Sequence, residues 1–283
     1  MISRTPSGVL VVGAIASVQF GSALADTLFA RVGPAGAVTL RLVSAGIVLL
    51  ALWRPRLRRR TRHELLLVGA MGLTLAAMNL CFYEALDRIP LGIAVTIEFV
   101  GPLAVAVGGS RRAIDLVWAG LAAAGILALT RGGTGHLDGL GVVYALAAGA
   151  FWASYILLNA RIGRAFRGGA GLALAMAVAS VVALPFGIAQ AGGHLLGLHV
   201  LLVGAAVGML SSAIPYSLEL EALRRIAPPV FGVLMSIEPA MAALAGLIVL
   251  GQQLELRAVA GIALVILASV GASRSTRDAP VAV

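Results

Sequence analysis

The chain has 283 residues, 60% of them hydrophobic and 12% charged, against roughly 45–50% and about 25% in an ordinary soluble domain. Mean hydropathy is +1.01. That balance excludes a disordered chain, and with Cys81 as the single cysteine a disulfide-stapled secreted scaffold is excluded too; a polytopic membrane protein remains.

All 21 basic residues are arginine, and the net charge is +9. A pI near 11.3 by itself points to nucleic acid. Here the arginines sit in short loops between long apolar runs, with no aromatic-interleaved basic patch and no zinc-finger spacing. Basic loops beside spans obey the charge-orientation rule of membranes instead, so no nucleic-acid partner is expected.

A helix needs about 20 residues to cross the hydrocarbon core. In chain order the apolar segments predict ten spans, at about 8–28, 35–53, 64–86, 91–108, 114–130, 139–160, 170–190, 197–218, 229–250 and 256–273. Several connections hold only 4–6 residues, so sequential helices are antiparallel neighbours. The start of the chain imitates a signal peptide, with Arg4, an apolar stretch and Ala23-Leu24-Ala25. We read it as a retained span, because removing it leaves an odd number and breaks the repeat described below.

Alternate loops differ sharply in charge. Arg4, Arg54, Arg56, Arg58, Arg59, Arg60, Arg62, Arg111, Arg112, Arg161, Arg164, Arg167, Arg224, Arg225, Arg274 and Arg277 fall on one side. Arg31, Arg88, Arg131 and Arg257 fall on the other, and Arg41 lies inside a span. The positive-inside rule then predicts that both termini are cytoplasmic.

The chain resembles itself at an offset of 137 residues: Glu84-Ala85-Leu86-Asp87-Arg88-Ile89 reads against Glu221-Ala222-Leu223-Arg224-Arg225-Ile226, and Pro102 falls on Pro239. Each half then holds five spans. Because five is odd, the second half enters the membrane in the opposite sense, the inverted arrangement of secondary transporters that switch access from one side to the other. The expected fold is an all-α membrane protein of ten transmembrane helices, built as two inverted five-helix repeats at 8–130 and 139–273.

The run Ile89-Pro90-Leu91-Gly92-Ile93-Ala94-Val95 continues through Glu98-Phe99-Val100-Gly101-Pro102-Leu103-Ala104-Val105 to Ser110-Arg111-Arg112 and Asp115-Leu116-Val117-Trp118. This stretch, together with Ile237-Glu238-Pro239 in the second half, resembles the drug/metabolite transporter superfamily, EamA type. Within it the chain looks most like the bacterial inner-membrane threonine/homoserine exporter group. The resemblance implies a ten-helix bundle, a central cavity and proton-coupled efflux of amino acids or related metabolites.

Ionisable residues within spans are costly, at least about 2.5–3.5 kcal/mol each at the centre, so they head the candidate site. Glu98 and Glu238 fall near the middle of spans four and nine. One reading makes them proton-coupling and substrate-binding carboxyls lining a cavity; the other makes them caps for backbone groups freed by Pro102 and Pro239. Arg41 either takes the carboxylate of a substrate, for which its planar fork is suited, or pairs with Asp26 on the adjacent helix, or snorkels outward. Gln19, Asn79, Tyr83 and Tyr216, with Asn159 a further candidate, are expected either to bind substrate as polar lining or to make interhelical hydrogen bonds; Asn79 and Tyr83, four apart, share one helix face. Trp152, Tyr155, Phe82 and Phe99 are read as packing or lipid-facing residues ahead of cavity walls.

Other features read as structural. Glu84 and Glu221 sit four residues before Arg88 and Arg225, a helix-surface pairing. Asp115 and Asp138 precede or open spans, where a carboxylate suits the positive helix end. Gly204 and Gly208 form a GxxxG pattern, read as tight packing within the bundle ahead of a dimer contact.

His63, His136, His194 and His199 have no metal-ligand spacing, and the chain has no GxxxxGK[ST] loop, no Gly-x-Ser-x-Gly elbow and no paired loop aspartates. No cofactor, no metal and no enzyme activity are expected, and energy must come from a gradient of protons or substrate. Two alternatives stand: efflux of another metabolite or a drug-like compound, and, from a different class, a membrane-embedded lipid-processing enzyme.

Overall fold

A backbone N–H or C=O in hydrocarbon has no water to bond, and a helix is the one way a single segment satisfies its own groups. In the computed structural model, which describes residues 6–55, 60–108, 113–130, 137–166, 168–223, 231 and 234–275, every regular element is helical. The first half comprises α1 (Ser7–Asp26), α2 (Phe29–Trp53), α3 (Arg62–Leu86), α4 (Leu91–Glu98), α5 (Val100–Gly108) and α6 (Ala113–Thr130). The second comprises α7 (Gly139–Ala165), α8 (Ala170–Ala191), α9 (Leu198–Gly208), a π-helical turn (Met209–Ala213), α10 (Ile214–Leu223), α11 (Glu238–Leu250) and α12 (Leu256–Ser275).

Six helical stretches are long and apolar enough to cross a membrane: Ser7–Asp26, Phe29–Trp53, Arg62–Leu86, Gly139–Ala165, Ala170–Leu196 and Leu198–Glu219. Four shorter apolar stretches, Leu91–Val105, Leu116–Ala128, Glu238–Leu250 and Leu256–Gly271, complete the bundle among the described residues. Its outer surface is apolar: Leu116, Val181, Leu198 and Leu256 are more than 70% exposed. Such a surface suits lipid and not water.

Local chemistry sets the helix ends. Thr61 and Glu64 form a reciprocal capping box that opens α3. Asp138 Oδ1 accepts from the N–H groups of Leu140 and Gly141 at 2.7 and 3.2 Å and caps α7, as expected for a carboxylate at that position. Arg88 Nη1 bonds Glu84 Oε2 at 2.6 Å, the i, i+4 pair read from the sequence. The equivalent Glu221–Arg225 pair and the side chain of Asp115 lie outside the described residues. So do Arg4, Arg56, Arg58, Arg59, Arg111, Arg112, Arg131, Arg167, Arg224 and Arg277, and the side chain of Arg274.

Four interruptions depart from the simple span pattern, and each follows from a residue or a neighbour. The helical rise of α2 starts at Phe29, ahead of the expected 35, but is broken at Gly33, whose φ of 68° and ψ of 171° lie outside the helical range. Only glycine adopts that φ and ψ freely, and Pro34 follows it as a helix opener. Span four divides at Phe99 into α4 and α5. Span eight contains the π turn and runs on to Leu223, past its expected end at 218. In span nine Phe231, Leu234 and Met235 are helical, a turn follows at Ser236 and Ile237, and the helix resumes at Glu238.

The helices pack through small residues, since lipid supplies no hydrophobic drive between them. The packed pairs are α2 on α8, α3 on α7 and α8, α4 on α7 and α11, α1 on α10 and α11, α9 on α2, and α6 on α12. A Cβ at Gly204 would meet the side chain of Leu40, and one at Gly208 would meet Ser44 and the backbone of Arg41. The GxxxG pattern therefore seats α9 on α2 within the chain.

Candidate functional site

A cavity of about 410 Å³ opens where α1, α2, α3, α4, α7, α10 and α11 converge, within the size range of small-molecule sites. Its polar groups come from several helices, and Glu98 and Glu238 sit beside two of the interruptions described above.

Glu98 is the last residue of α4 and is 8% exposed. Pro102 has no N–H to give to the Glu98 carbonyl, so the helix yields there. The freed carbonyl faces Gly149 of α7, where a Cβ would collide with it; a Cβ at Gly101 would in turn strike the Gly149 carbonyl. The Glu98 side chain lines the cavity and has no hydrogen-bond partner among the described residues. It therefore does not cap the proline-freed backbone.

Glu238 is 6% exposed and is the first residue of α11. A carboxylate suits a helix N-terminus, and Pro239 beside it has no N–H to leave unbonded. Its Oε1 accepts from Gln19 Nε2 of α1 at 3.1 Å, while Oε2 has no partner among the described residues. Glu238 thus bonds a cavity side chain and not the backbone.

Arg41, 6% exposed, reaches the cavity from α2. Its Nε donates to Ser212 Oγ at 3.3 Å, Nη1 to Tyr83 Oη at 3.1 Å and Nη2 to the Ser211 carbonyl at 3.0 Å. The guanidinium carbon also lies 5.5 Å from the centre of the Tyr83 ring, a cation–π distance. No carboxylate lies within 4.0 Å of it among the described residues, so the Asp26–Arg41 pair is not formed. Two of its three bonds go to Ser211 and Ser212 in the π turn, a geometry often found at functional positions. A guanidinium has five N–H groups; three are used, leaving one on each terminal nitrogen. That pair can take a carboxylate.

Gln19, Asn79 and Tyr216 line the same cavity, as expected. Asn79 Nδ2 donates back to the Leu75 carbonyl at 2.8 Å, which leaves its oxygen to the cavity. Tyr83 is fully buried behind Arg41 and reaches the cavity through it. Asn159 is a wall residue, and so are Trp152, Tyr155, Phe82 and Phe99; Phe82, Phe99 and Tyr155 are packed within the bundle as well. Phe99 and Trp152 meet edge to face at 5.5 Å and brace α4 against α7.

Sequence reading missed Glu219, Ser22 and Ser211, all on the cavity wall. Glu219 lies one helical turn beyond Tyr216, and Asp and Glu together number only 12 in the chain; that scarcity was the signal. Glu98, Glu219 and Glu238 all line the one cavity. One guanidinium and three carboxyls thus share a small chamber within an apolar bundle, able to hold a carboxylate at one point and an ammonium or a proton at others.

Known proteins share this pattern of sequence and fold. The profile of the EamA-like transporter family matches residues 139–274. The threonine/homoserine exporter RhtA of Salmonella typhimurium (strain SL1344) is 42% identical over 269 residues, covering 94% of this chain and 91% of that protein. RhtA of Escherichia coli (strain K12) is 42% identical over 271 residues, covering 95% and 92%. A solved crystal structure matches with a TM-score of 0.66 at 18% identity, covering 96% of this chain and 97% of that one, which extends the likeness to the fold. These relatives are exporters and not enzymes, and the lipid-processing alternative is set aside. With an apolar helical bundle around a charged chamber, and that identity across nearly its whole length, the chain belongs to the EamA-like transporter family.

Proposed function

We propose that this membrane protein exports a small amino acid, threonine or homoserine in kind, across the inner membrane in exchange for protons. The observation that carries this reading is the shared cavity of Arg41, Glu98, Glu219 and Glu238. In this reading Arg41 takes the substrate carboxylate through its two remaining N–H groups, with Tyr83 holding it in place. Glu238 and Glu98 take the ammonium or, in its absence, protons, so that substrate and proton compete for the same oxygens. Gln19, Asn79 and Tyr216 supply further polar contacts. The names of the relatives, at 42% identity over 94% of the chain, support the substrate class.

The architecture of the mechanism is two inverted five-helix repeats, 8–130 and 139–273, giving ten spans with both termini in the cytoplasm. The family profile matches one such unit. The packing pattern also fits exchange of the halves: α3 on α7 is mirrored by α10 on α1, α4 on α7 by α11 on α1, and α3 on α8 by α9 on α2. The pairs α2 with α8, α4 with α11 and α6 with α12 each join an element to its own counterpart. The arginine bias of the loops supports the orientation.

The test is counterflow of labelled amino acids in proteoliposomes holding the purified full chain, with and without a pH gradient. Threonine or homoserine exchange that a gradient accelerates is the expected result. Verified folded protein that moves neither, under any gradient, overturns the reading; flux of an unrelated metabolite instead selects the other efflux reading.

A further inference from the structure

Among the described residues five buried side-chain atoms lack a hydrogen-bond partner, and four of them belong to cavity residues: Gln19 Oε1, Ser22 Oγ, Ser211 Oγ and Glu238 Oε2. The two serines are the anomaly. Ser17 and Thr39 bond carbonyls of neighbouring segments, and five other hydroxyls turn back onto the carbonyl one turn earlier. Ser44 bonds Leu40, Thr96 bonds Gly92, Ser154 bonds Ala150, Ser180 bonds Met176 and Ser217 bonds Ala213, all at 2.5–3.0 Å. That back-bond is open to a helical serine in general. Ser22 and Ser211, at 0% and 1% exposure, do not make it, although a buried polar atom left unpaired is destabilising.

Their placement accounts for this. Gln19 and Ser22 are three apart on one face of α1. Ser211 faces that helix from the π turn, with its Oγ close enough to Gly21 that a Cβ there would collide. One carbonyl acceptor and two hydroxyls, all without a partner among the described residues, therefore belong to residues of one cavity wall. We infer that Gln19, Ser22 and Ser211 form a subsite for a hydroxyl group carried by the transported molecule. A hydroxyl both gives and receives: it donates to Gln19 Oε1 and accepts from Ser22 or Ser211.

Ser211 joins this subsite to the neighbouring one. Its carbonyl accepts from Arg41 Nη2, while its hydroxyl sits against α1 at Gly21, on the cavity wall. A carboxylate held by Arg41 and a hydroxyl held by Ser211 must then lie only a few bonds apart, the spacing of a β- or γ-hydroxy amino acid. The inference rests on the amino-acid export reading above and names what selects among amino acids.

The experiment compares pairs that differ only in the hydroxyl: L-threonine against L-valine, and L-homoserine against L-norvaline. Each competes for counterflow of labelled threonine by the full chain in proteoliposomes. The wild type is expected to prefer the hydroxylated member by roughly 10- to 100-fold. The double variant Ser22→Ala, Ser211→Ala should bring that ratio down at least about 10-fold, towards one. The ratio is the readout, so a general loss of flux does not move it. Where a variant has no measurable flux, affinities from calorimetry on the detergent-purified protein supply the same ratio.

A wild type that exchanges both members of each pair equally overturns the subsite and leaves amino-acid export standing. An undiminished ratio in the double variant overturns the assignment to these serines. A folded wild type that exchanges no amino acid overturns both readings together.

Discussion

The main-chain carbonyl of Glu98 lies so close to Gly149 of the neighbouring helix that a Cβ built there would sit 2.6 Å from its oxygen. The obstacle is backbone and cannot swing away. Gly149→Ala must therefore displace the end of α4, and Glu98 with it. Misplacing a binding group by about 1 Å can cost on the order of 100-fold, so exchange flux should fall at least about 10-fold while the protein still folds. Gly163→Ala, in the same helix with nothing within 4 Å of its built Cβ, is the control and should leave flux unchanged. Counterflow rates and gel-filtration profiles of the two variants check this; equal flux from both would show that the contact does not position the carboxyl.

Glu98→Gln keeps the shape of the side chain and removes its proton chemistry. Since no hydrogen bond of the Glu98 carboxyl is lost among the described residues, the variant should fold. The expected result is that a pH gradient no longer accelerates efflux. Wild-type response to the gradient, measured in proteoliposomes, would remove Glu98 from the coupling and leave Glu238 and Glu219 as candidates.

Hydropathy made most of the bundle readable, because lipid demands long apolar runs wherever a helix crosses. It could not show where those helices break. The interruptions at Gly33, Phe99, Met209–Ala213 and Ser236–Ile237 depend on one or two residues and on a tertiary neighbour such as Gly149. Pro102 and Pro239 marked two of the regions, and Glu98 and Glu238 were legible because an ionisable residue within a span is costly. Glu219 was missed because the π turn and the longer α10 carry it inside a span expected to end at 218. Ser22 and Ser211 gave no signal, since a serine in a helix looks the same whether it bonds its own backbone or faces a ligand. The four wall aromatics both pack and line the cavity, and an apolar ring face does not tell the two apart in a sequence.

Arg41→Lys tests whether the charge alone suffices. An ammonium lacks the planar fork and cannot serve Ser212, Tyr83 and the Ser211 carbonyl while presenting a two-pronged face to a carboxylate. Stranding one of those buried partners costs about 1–3 kcal/mol. We expect a lower melting temperature and a loss of exchange of at least about 10-fold, with Arg41→Gln no better. Near-normal counterflow by the lysine variant would mean that Arg41 acts only as a positive charge.

The start of α2 depends on a side chain from a helix 155 residues away in sequence. Gly33 and Pro34 break the helix, and the N–H groups beyond the break are left without carbonyls one turn earlier. Gln190 Oε1 accepts from Ala35 N at 2.7 Å and Gly36 N at 3.4 Å, replacing them. Gln252 Oε1 does the same for Leu91 N at the start of α4, at 3.0 Å. Gln190→Leu removes the acceptor and should destabilise the protein by about 1–3 kcal/mol, read as a lower melting temperature and faster amide exchange at Ala35 and Gly36. Gln190→Glu retains an acceptor oxygen and should restore most of the protection. Unchanged exchange at both amides in the leucine variant would mean that the helix start is held by packing and not by this cap.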